Sequence, residues 1–330
     1  MTSPFAYARA TDEQDAVRLA AQPGAAFLAG GTDFLQLWKA GLAAPSRVID
    51  IGRLALDRIE VRDDVLVIGA LARLADAAGH PSVRCELPGL AQALLASASP
   101  QVRNMATVGG NLMQRTRCLY FRGADFACNK RAPGSGCSAI EGENRQHAIL
   151  GTSSACVATH PSDLAVALVA LGASVRLRGA SGERRVALED FFLLPGDTPE
   201  RETVLAAGEL LVAVEVPRTP RRSAYLKLRD RASFEFAVVS ACVAAELRDG
   251  RIATIRLAAG GVATRPWRLK ACEAALAGAR LDDATLRAAS ALAAEGARPL
   301  SGNGFKVELL QRSVHRLLAD ALMGDDRWTR

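Results

Sequence analysis

Four of the seven cysteines lie within 39 consecutive residues: Cys118, Cys128, Cys137 and Cys156. Thiolates gathered in this way could bind a metal ion or an iron–sulfur cluster. Basic residues in the same segment could offset the negative charge of such a site: Arg117, Arg122, Lys130 and Arg131. No C-x2-C pair is present, so the zinc-ribbon and ferredoxin signatures are lacking. Free thiols are a liability in an exposed loop, and disulfides are disfavoured inside a cell. The spacing therefore favours a four-cysteine metal site and leaves zinc and a [4Fe–4S] cluster both open.

Two glycine pairs follow apolar runs and could bind the phosphates of a nucleotide. The first pair stands in the run Leu28, Ala29, Gly30, Gly31, Thr32 and Asp33, and the second in the run from Thr107 through Gly110 to Asn111. Glycines let the backbone approach a ligand closely, and a helix start adds a partial positive charge. Neither run is a GxGxxG or Walker sequence, and either one alone is most simply a tight turn. Two such loops in one domain could hold a long dinucleotide from both sides.

Polar residues near two further elements could complete such a site. Ser162 and Asp163 mark a helix start, where the simplest role is to cap the helix. Asp163 could also accept a hydrogen bond from a ribityl or ribose hydroxyl, whereas His160 is expected to serve structure rather than catalysis. Lys227 alternates with apolar residues on a predicted strand. It faces solvent by default, but it could reach a ligand at a domain junction.

Predicted helices and short strands alternate around these residues. This alternation predicts an α+β or α/β fold for the first half of the chain. A buried strand at 25–29 precedes the first glycine loop, and a helix at 164–171 follows Asp163. Residues 115–160 have weak periodicity, and so long a loop is improbable in a compact chain unless something ties it down.

A break at residues 217–222 predicts a domain boundary. Three strand-like runs follow it, and then helical stretches at 267–277, 282–294 and 305–322. This order predicts a separate α+β domain with helices on one face of an antiparallel sheet. We therefore divide the chain into residues 1–220, with an insertion at 115–160, and residues 221–330.

The composition excludes several classes of protein. Of the 330 residues, 49% are hydrophobic, enough for the cores of two or three domains. The formal charge of +6 is small for this length and forms no long basic block, so a nucleic-acid partner is not indicated. No apolar run approaches the roughly 20 residues of a membrane span. Residues 1–10 lack the features of a secretory signal, so a cytoplasmic location is expected.

Taken together, the motifs resemble those of the FAD-binding medium subunit of the molybdenum hydroxylases, the xanthine dehydrogenase and carbon monoxide dehydrogenase family. The resemblance covers almost the whole chain and rests on the order of six short segments: Ala29–Asp33, Thr107–Asn111, Ser162–Asp163, Glu209–Val212, Tyr225–Lys227 and Phe236–Ser240. In most members the second and third of these segments lie close together. Here residues 112–161 separate them and contain all four clustered cysteines. This departure resembles the medium subunit of bacterial periplasmic-type aldehyde oxidoreductases, whose insertion holds an additional [4Fe–4S] cluster.

The resemblance implies an α+β fold with two parts. The first is a two-part FAD-binding domain of the vanillyl-alcohol-oxidase (PCMH) type, and the second is a small C-terminal α+β domain of the CO-dehydrogenase-flavoprotein type. It also implies that Leu28–Asp33 hold the FAD pyrophosphate, with a second wall formed by Thr107, Gly110 and Asn111. Ser162 and Asp163 would bind the ribityl or ribose region, and Leu211 and Lys227 would lie beside the isoalloxazine. The four clustered cysteines would bind the [4Fe–4S] cluster, and no residue would act as acid or base on the substrate.

The resemblance further implies a heterotrimer, or a dimer of heterotrimers. A large partner with a molybdenum cofactor would oxidise an aldehyde, and a small partner with [2Fe–2S] clusters would pass the electrons to FAD. Such a chain could reach the periplasm together with a signal-bearing small subunit. The alternatives are a medium subunit like that of xanthine dehydrogenase or 4-hydroxybenzoyl-CoA reductase, a zinc-stabilised nucleotide-binding scaffold, and a stand-alone FAD oxidase.

Overall fold

The computed structural model describes residues 4–218 and 222–324, which form three β-sheets with helices packed on and between them. The strands are β1 (Ala6–Arg9), β2 (Ala25–Leu28), β3 (Arg47–Asp50), β4 (Ile59–Arg62), β5 (Val65–Gly69), β6 (Ser174–Gly179), β7 (Gly182–Ala187), β8 (Leu210–Pro217), β9 (Arg222–Leu228), β10 (Val239–Arg248), β11 (Arg251–Gly260) and β12 (Trp267–Arg268). The α-helices are α1 (Glu13–Ala20), α2 (Phe34–Lys39), α3 (Leu74–Gly79), α4 (Pro81–Glu86), α5 (Pro88–Ala96), α6 (Pro100–Arg103), α7 (Val108–Leu112), α8 (Leu119–Arg122), α9 (Asp163–Leu171), α10 (Leu188–Phe191), α11 (Lys270–Leu276), α12 (Asp283–Ser290) and α13 (Phe305–Leu318). A 3-10 turn (Ala291–Ala294) and a π-helical turn (Ala319–Met323) follow α12 and α13.

The first two sheets form the N-terminal part of the chain. The first is parallel, with the order β1-β3-β2, and the second is antiparallel, with the order β4-β5-β8-β6-β7. Helix α1 packs against both sheets through Ala16 and Val17, and Asp12 caps it by accepting from the Asp15 N–H at 2.8 Å. The first glycine loop leaves the end of β2 and leads directly into α2.

Helix α9 lies at the centre of the molecule. All nine of its residues are buried, because α5 packs on it and the C-terminal sheet covers another face. This explains why its sequence is apolar all round rather than amphipathic. Gly172 ends the helix in the left-handed region, with φ of +76°, which suits glycine.

The third sheet is antiparallel, with the order β12-β11-β10-β9. Helices α11 and α13 pack on one face of this sheet, and α5 and α9 cover the other. The two parts of the chain therefore share one hydrophobic core, in which Tyr225, Cys242 and Ala258 pack with α9. The predicted boundary between residues 220 and 221 lies outside the described residues.

The structure confirms the mixed helix-and-sheet character, the strand at 25–28 and the helix at 163–171. The prediction that a helix begins at Trp267 is wrong. Trp267 and Arg268 instead pair with Ala259 and Ala258 at the free edge of β11, and α11 starts at Lys270. Within residues 4–218 and 222–324, no helix combines the length and the apolar character that a bilayer span requires.

Candidate functional site

The first glycine loop lies directly against the segment that leads into the second. A Cβ atom on Gly30 would overlap the carbonyl oxygen of Met105, so only glycine permits this approach. Arg73 donates a hydrogen bond to the same carbonyl oxygen, and Gly31 adopts a left-handed φ of +73°. The turn after β2 is therefore fixed on the backbone that precedes Thr107.

The second glycine loop is a short helix held against β5. Thr107 begins α7, and its hydroxyl oxygen accepts from the Gly110 N–H at 3.1 Å. The Gly109 N–H donates to the Ala70 carbonyl oxygen at 2.8 Å, and a Cβ on Gly109 would lie 3.0 Å from the Ala70 Cβ. Gly109 therefore packs against the sheet, whereas Gly110 and Asn111 line the cleft described below.

The two ends of the cysteine-containing insertion meet at one hydrogen bond. The Ser162 hydroxyl donates to Asn111 Oδ1 at 2.6 Å and accepts from the Ala165 N–H at 2.9 Å, so it also caps α9. Residues 107–111 and 162–163 are therefore neighbours in space, as predicted, despite their separation in sequence.

Asp163 is the buried centre of a polar cluster. Its side chain is 6% exposed, and it accepts from Lys227 Nζ at 2.8 Å, from the Ser97 hydroxyl at 3.3 Å and from the Tyr225 hydroxyl. Lys227 also donates to the Ala96 carbonyl oxygen at 3.0 Å. Burial and the adjacent Asp163 carboxylate raise the pKa of Tyr225 well above its usual value, so its hydroxyl remains a donor.

The default expectation that Lys227 faces solvent is wrong, because its side chain is only 4% exposed. Tyr225 and Lys227 are two residues apart on β9 and share the face that packs towards α5 and α9. Neither Tyr225 nor Ser97 was predicted as a site residue. The position of Tyr225, two residues before Lys227 on the same strand, could have indicated it, whereas no feature of the sequence indicated Ser97.

Most of the polar residues predicted for the site share one cleft. Its volume is about 350 Å³, and it is lined by five of those polar residues together with Gly110: Thr32, Asp33, Asn111, Asp163 and Lys227. They come from four separate segments, which supports the prediction of a single site built by both glycine loops. The C-terminal part also contributes a wall that the sequence analysis did not predict: Arg231, Phe234, Glu235 and Phe236.

A second cavity of about 200 Å³ is lined by Ala29, Arg73 and Thr107. Residues of both glycine loops therefore border both hollows, an arrangement that suits an extended dinucleotide with a charged middle. Leu28 lies in β2, where its carbonyl oxygen accepts from the Ile51 N–H at 3.0 Å. Leu211 is 6% exposed in the main core and lines neither hollow.

The insertion brings the four predicted cysteine ligands into one neighbourhood. Cys128 and Cys137 are partners in an isolated β-bridge, and the thiols of Cys128 and Cys156 act electrostatically on Cys118. Burial raises the pKa of the Cys118 thiol to about 11, although N–H groups of Tyr120 and Phe121 oppose this by bonding to its sulfur. None of the seven cysteines, all within the described ranges, forms a disulfide.

Among the described residues, no three His, Cys, Asp or Glu side chains converge on a single metal-ion position. Zinc requires its thiolates about 2.3 Å from one common centre. Ligands of a cluster stand further apart, since irons and sulfides fill the space between them. Buried thiols that receive backbone N–H groups suit such a cluster, because those donors stabilise thiolate charge.

His147 is a neighbour of the cysteines that the sequence analysis missed. Its Nε2 lies 3.1 Å from Cys118 Sγ, and burial lowers the pKa of the imidazole to about 4. The fully buried Lys306 donates to the His147 carbonyl oxygen at 3.1 Å and to that of Gly261 at 2.7 Å. A histidine inside the cysteine-containing segment was the available signal.

The basic residues of the insertion have more specific partners than predicted. Lys130 pairs with Glu202 at 2.9 Å. Burial raises the pKa of the Cys156 thiol, and the charge of Lys130 offsets only part of that rise. Arg131 donates to carbonyl oxygens of the insertion itself. Arg117 and Arg122 instead each contact Asp33 Oδ1 at 2.9 Å.

Comparison with known proteins covers nearly the whole chain. Residues 3–219 match the family described as "FAD binding domain in molybdopterin dehydrogenase", and residues 223–323 match "CO dehydrogenase flavoprotein C-terminal domain". The aldehyde oxidoreductase FAD-binding subunit PaoB of Escherichia coli is 48% identical over 96% of this chain and 98% of that protein. The glyceraldehyde dehydrogenase medium chain of Sulfolobus acidocaldarius is 29% identical over 84% of this chain and 83% of its own length. A solved structure of carbon monoxide dehydrogenase from Hydrogenophaga pseudoflava contains a chain that is 27% identical, with a TM-score of 0.77 over 98% of this chain and 99% of that one. These matches confirm the predicted fold class.

Proposed function

Because this chain belongs to the family of FAD-binding medium subunits of molybdenum hydroxylases, we propose that it serves an aldehyde-oxidising member of that family. It is a subunit of an oxidoreductase complex, and its task is to bind FAD. The observation that carries the proposal is the cleft in which both glycine loops meet the Asp163–Lys227 pair. The 48% identity to an aldehyde oxidoreductase subunit supports aldehydes as the substrate class of the complex.

Different residues of the cleft would hold different parts of FAD. When bound, FAD would carry out the electron transfer. Backbone groups from Leu28 to Thr32 would hold the pyrophosphate, because the glycines there admit no side chain. Thr107, Gly110 and Asn111 would form the facing wall. Ser162, Asp163 and Lys227 would orient the flavin end of the cofactor, and the resemblance also places Leu211 beside the isoalloxazine. None of these residues is assigned an acid or base step.

The FAD content of the purified complex tests this part of the proposal. We expect about one FAD per chain, released by denaturation and measured by fluorescence. Lys227→Met should lower flavin retention, whereas Arg218→Gln should not, because Arg218 pairs with Glu86 away from the cleft. A complex that oxidises an aldehyde without flavin in this chain would contradict the proposal.

We further propose that Cys118, Cys128, Cys137 and Cys156 bind a [4Fe–4S] cluster. The proposal is supported by their grouping, by the burial of Cys128 and Cys156, and by the N–H groups that bond to the Cys118 sulfur. The metal content of the chain after anaerobic purification distinguishes these two hypotheses. Iron with acid-labile sulfide supports the cluster, whereas one zinc ion per chain supports a zinc-stabilised scaffold.

Relatives of this chain are components of multi-subunit complexes, and we propose the same arrangement here. The partners would be a large subunit with the molybdenum cofactor and a small subunit with [2Fe–2S] clusters, which delivers electrons to FAD. The proposed division at residues 220 and 221 agrees with the gap between the two family matches. Co-purification of three subunits would support this arrangement, and turnover by the isolated chain would favour a stand-alone oxidase.

A further inference from the structure

The carboxylate of Asp33 is fully engaged by the cysteine-containing insertion. Its Oδ2 accepts from the Arg115 N–H at 2.9 Å, and its Oδ1 accepts from Arg117 and Arg122, each at 2.9 Å. Asp33 stands at the N-cap position of α2 but makes no capping bond with its side chain. The side chain is 14% exposed, so these charge-assisted hydrogen bonds are largely shielded from water.

The same donors organise the backbone around Cys118. Arg122 Nε donates to the Thr116 carbonyl oxygen at 2.9 Å, and the Cys118 N–H donates to the Thr116 hydroxyl at 3.2 Å. Arg117 donates to the Arg115 carbonyl oxygen at 2.6 Å. The segment that presents Cys118 is therefore assembled on the Asp33 carboxylate.

Asp33 also belongs to the flavin side of the molecule. It stands two residues after Gly31, and it lines the cleft together with Gly110 and Asn111. A ligand that orders this turn must also fix the carboxylate on which the Cys118 segment rests.

We propose that Asp33 is a positioning residue that couples the two cofactor sites, so that FAD and the cluster each strengthen the binding of the other. This inference rests on the proposed function. The coupling is reciprocal by thermodynamic necessity, because one shared contact is ordered by both ligands. A shared contact of this kind corresponds to a mutual effect of about tenfold.

The test measures iron release from the complete three-subunit complex into an iron(II) chelator, with FAD bound and after FAD has been removed by concentrated bromide. In the wild-type complex, loss of FAD should accelerate iron release about tenfold. In Asp33→Asn, iron should leave rapidly in both states, so the ratio of the two rates should fall to about one. A ratio in Asp33→Asn equal to that of the wild type would overturn the inference.

Glu202→Gln is the matched control. Glu202 also holds the insertion, through Arg115 and Lys130, but it does so without a contact to the first glycine loop. This variant should release iron faster in both states while the ratio between them remains that of the wild type. Loss of the ratio here as well would show general loosening of the insertion and would refute a specific role for Asp33.

Arg122→Gln removes the contact from the other side and leaves the first glycine loop unchanged in sequence. Because Arg115 and Arg117 still contact Asp33, the ratio should fall below that of the wild type without reaching one. An unchanged ratio would count against the coupling, and this variant decides the matter if Asp33→Asn fails to assemble. A wild-type complex without iron or without flavin would refute the proposed function itself. A loaded wild-type complex whose iron release ignores FAD would refute only the coupling.

Discussion

Replacing Lys227 with methionine should destabilise the chain strongly, because it leaves the Asp163 carboxylate buried without a cation. The two side chains are 4% and 6% exposed, and their charged atoms are 2.8 Å apart. Removing one partner of a buried pair typically costs about 3–5 kcal/mol. Two donors to Asp163 remain, Ser97 and Tyr225, so we expect the lower end, about 3 kcal/mol. Methionine keeps the length and apolar stem of lysine, so lost packing contributes little.

Urea unfolding of the flavin-free chain, followed by circular dichroism, measures this effect without any contribution from the cofactor. The matched control is Arg218→Gln, since the Arg218–Glu86 pair is about one-third exposed, at 29% and 35%. That variant should lose far less stability, because water screens the exposed pair. The double variant Lys227→Met with Asp163→Asn should recover part of the loss, because the unpaired buried charge is gone.

Two outcomes would refute the reasoning. If Lys227→Met costs no more than Arg218→Gln, the pair is not shielded from water as its geometry indicates. If the double variant is as unstable as Lys227→Met, the loss comes from the missing lysine itself rather than from a stranded carboxylate.

Three further predictions concern the cluster, the polar centre and acid stability. Cys118→Ser should lower iron content, whereas Cys242→Ser, in the buried core, should not; equal iron loss in both would contradict the ligand assignment. Tyr225→Phe should cost about 1.5–3 kcal/mol in urea unfolding, because it removes a donor to a buried carboxylate, and an unchanged midpoint would contradict this. Burial lowers the pKa of His160 from 6.5 to about 3, so between these values the unfolded chain binds a proton that the native chain does not. Stability should therefore fall as pH drops through this window, and His160→Gln should flatten the fall in a series of melting temperatures; an unchanged slope would contradict it.

The glycine loops could be predicted from sequence because their chemistry is local. An apolar strand followed by two glycines predicts a turn in which the backbone approaches another group closely, and Gly30 and Gly31 form such a turn. The partner of Lys227 could not be predicted in this way. Alternation along a strand separates two faces, and helices cover both faces of β9, so only the tertiary packing decides which face meets Asp163.

Local pattern also failed where a tertiary contact competed with it. Trp267 and Arg268 fit the start of an amphipathic helix, yet the unpaired edge of β11 offers backbone hydrogen bonds that a helix start lacks. Asp33 lies more than 80 positions before Arg117 and Arg122 in the sequence, yet it contacts both. No local rule connects such residues.

The length of the insertion predicted that other parts of the molecule must hold it in place. Polar contacts with the C-terminal part of the chain do so in part. Arg145 makes a bidentate pair with Asp230 at 2.7 and 3.0 Å. Asn144 Oδ1 accepts from the Gly302 N–H at 2.8 Å. The insertion is thus fastened to the C-terminal part of the chain as well as to the flavin loop.

The hydrogen bond between Asn111 and Ser162, at 2.6 Å, has a consequence for how such a chain could arise. Because residues 112–161 leave and rejoin the host at one point, a short turn could close the same gap without moving α7 or α9. The entropic cost of closing a loop grows by only about 0.6 kcal/mol for each doubling of its length. The length of the inserted segment therefore has little effect on the stability of the rest of the chain. Closure of the chain therefore does not stand in the way of gaining or losing the inserted segment in a single genetic event. The cost of losing it lies instead in its partners, since Ile149 and Leu150 would leave the C-terminal core and the buried Lys306 would lose the His147 carbonyl oxygen.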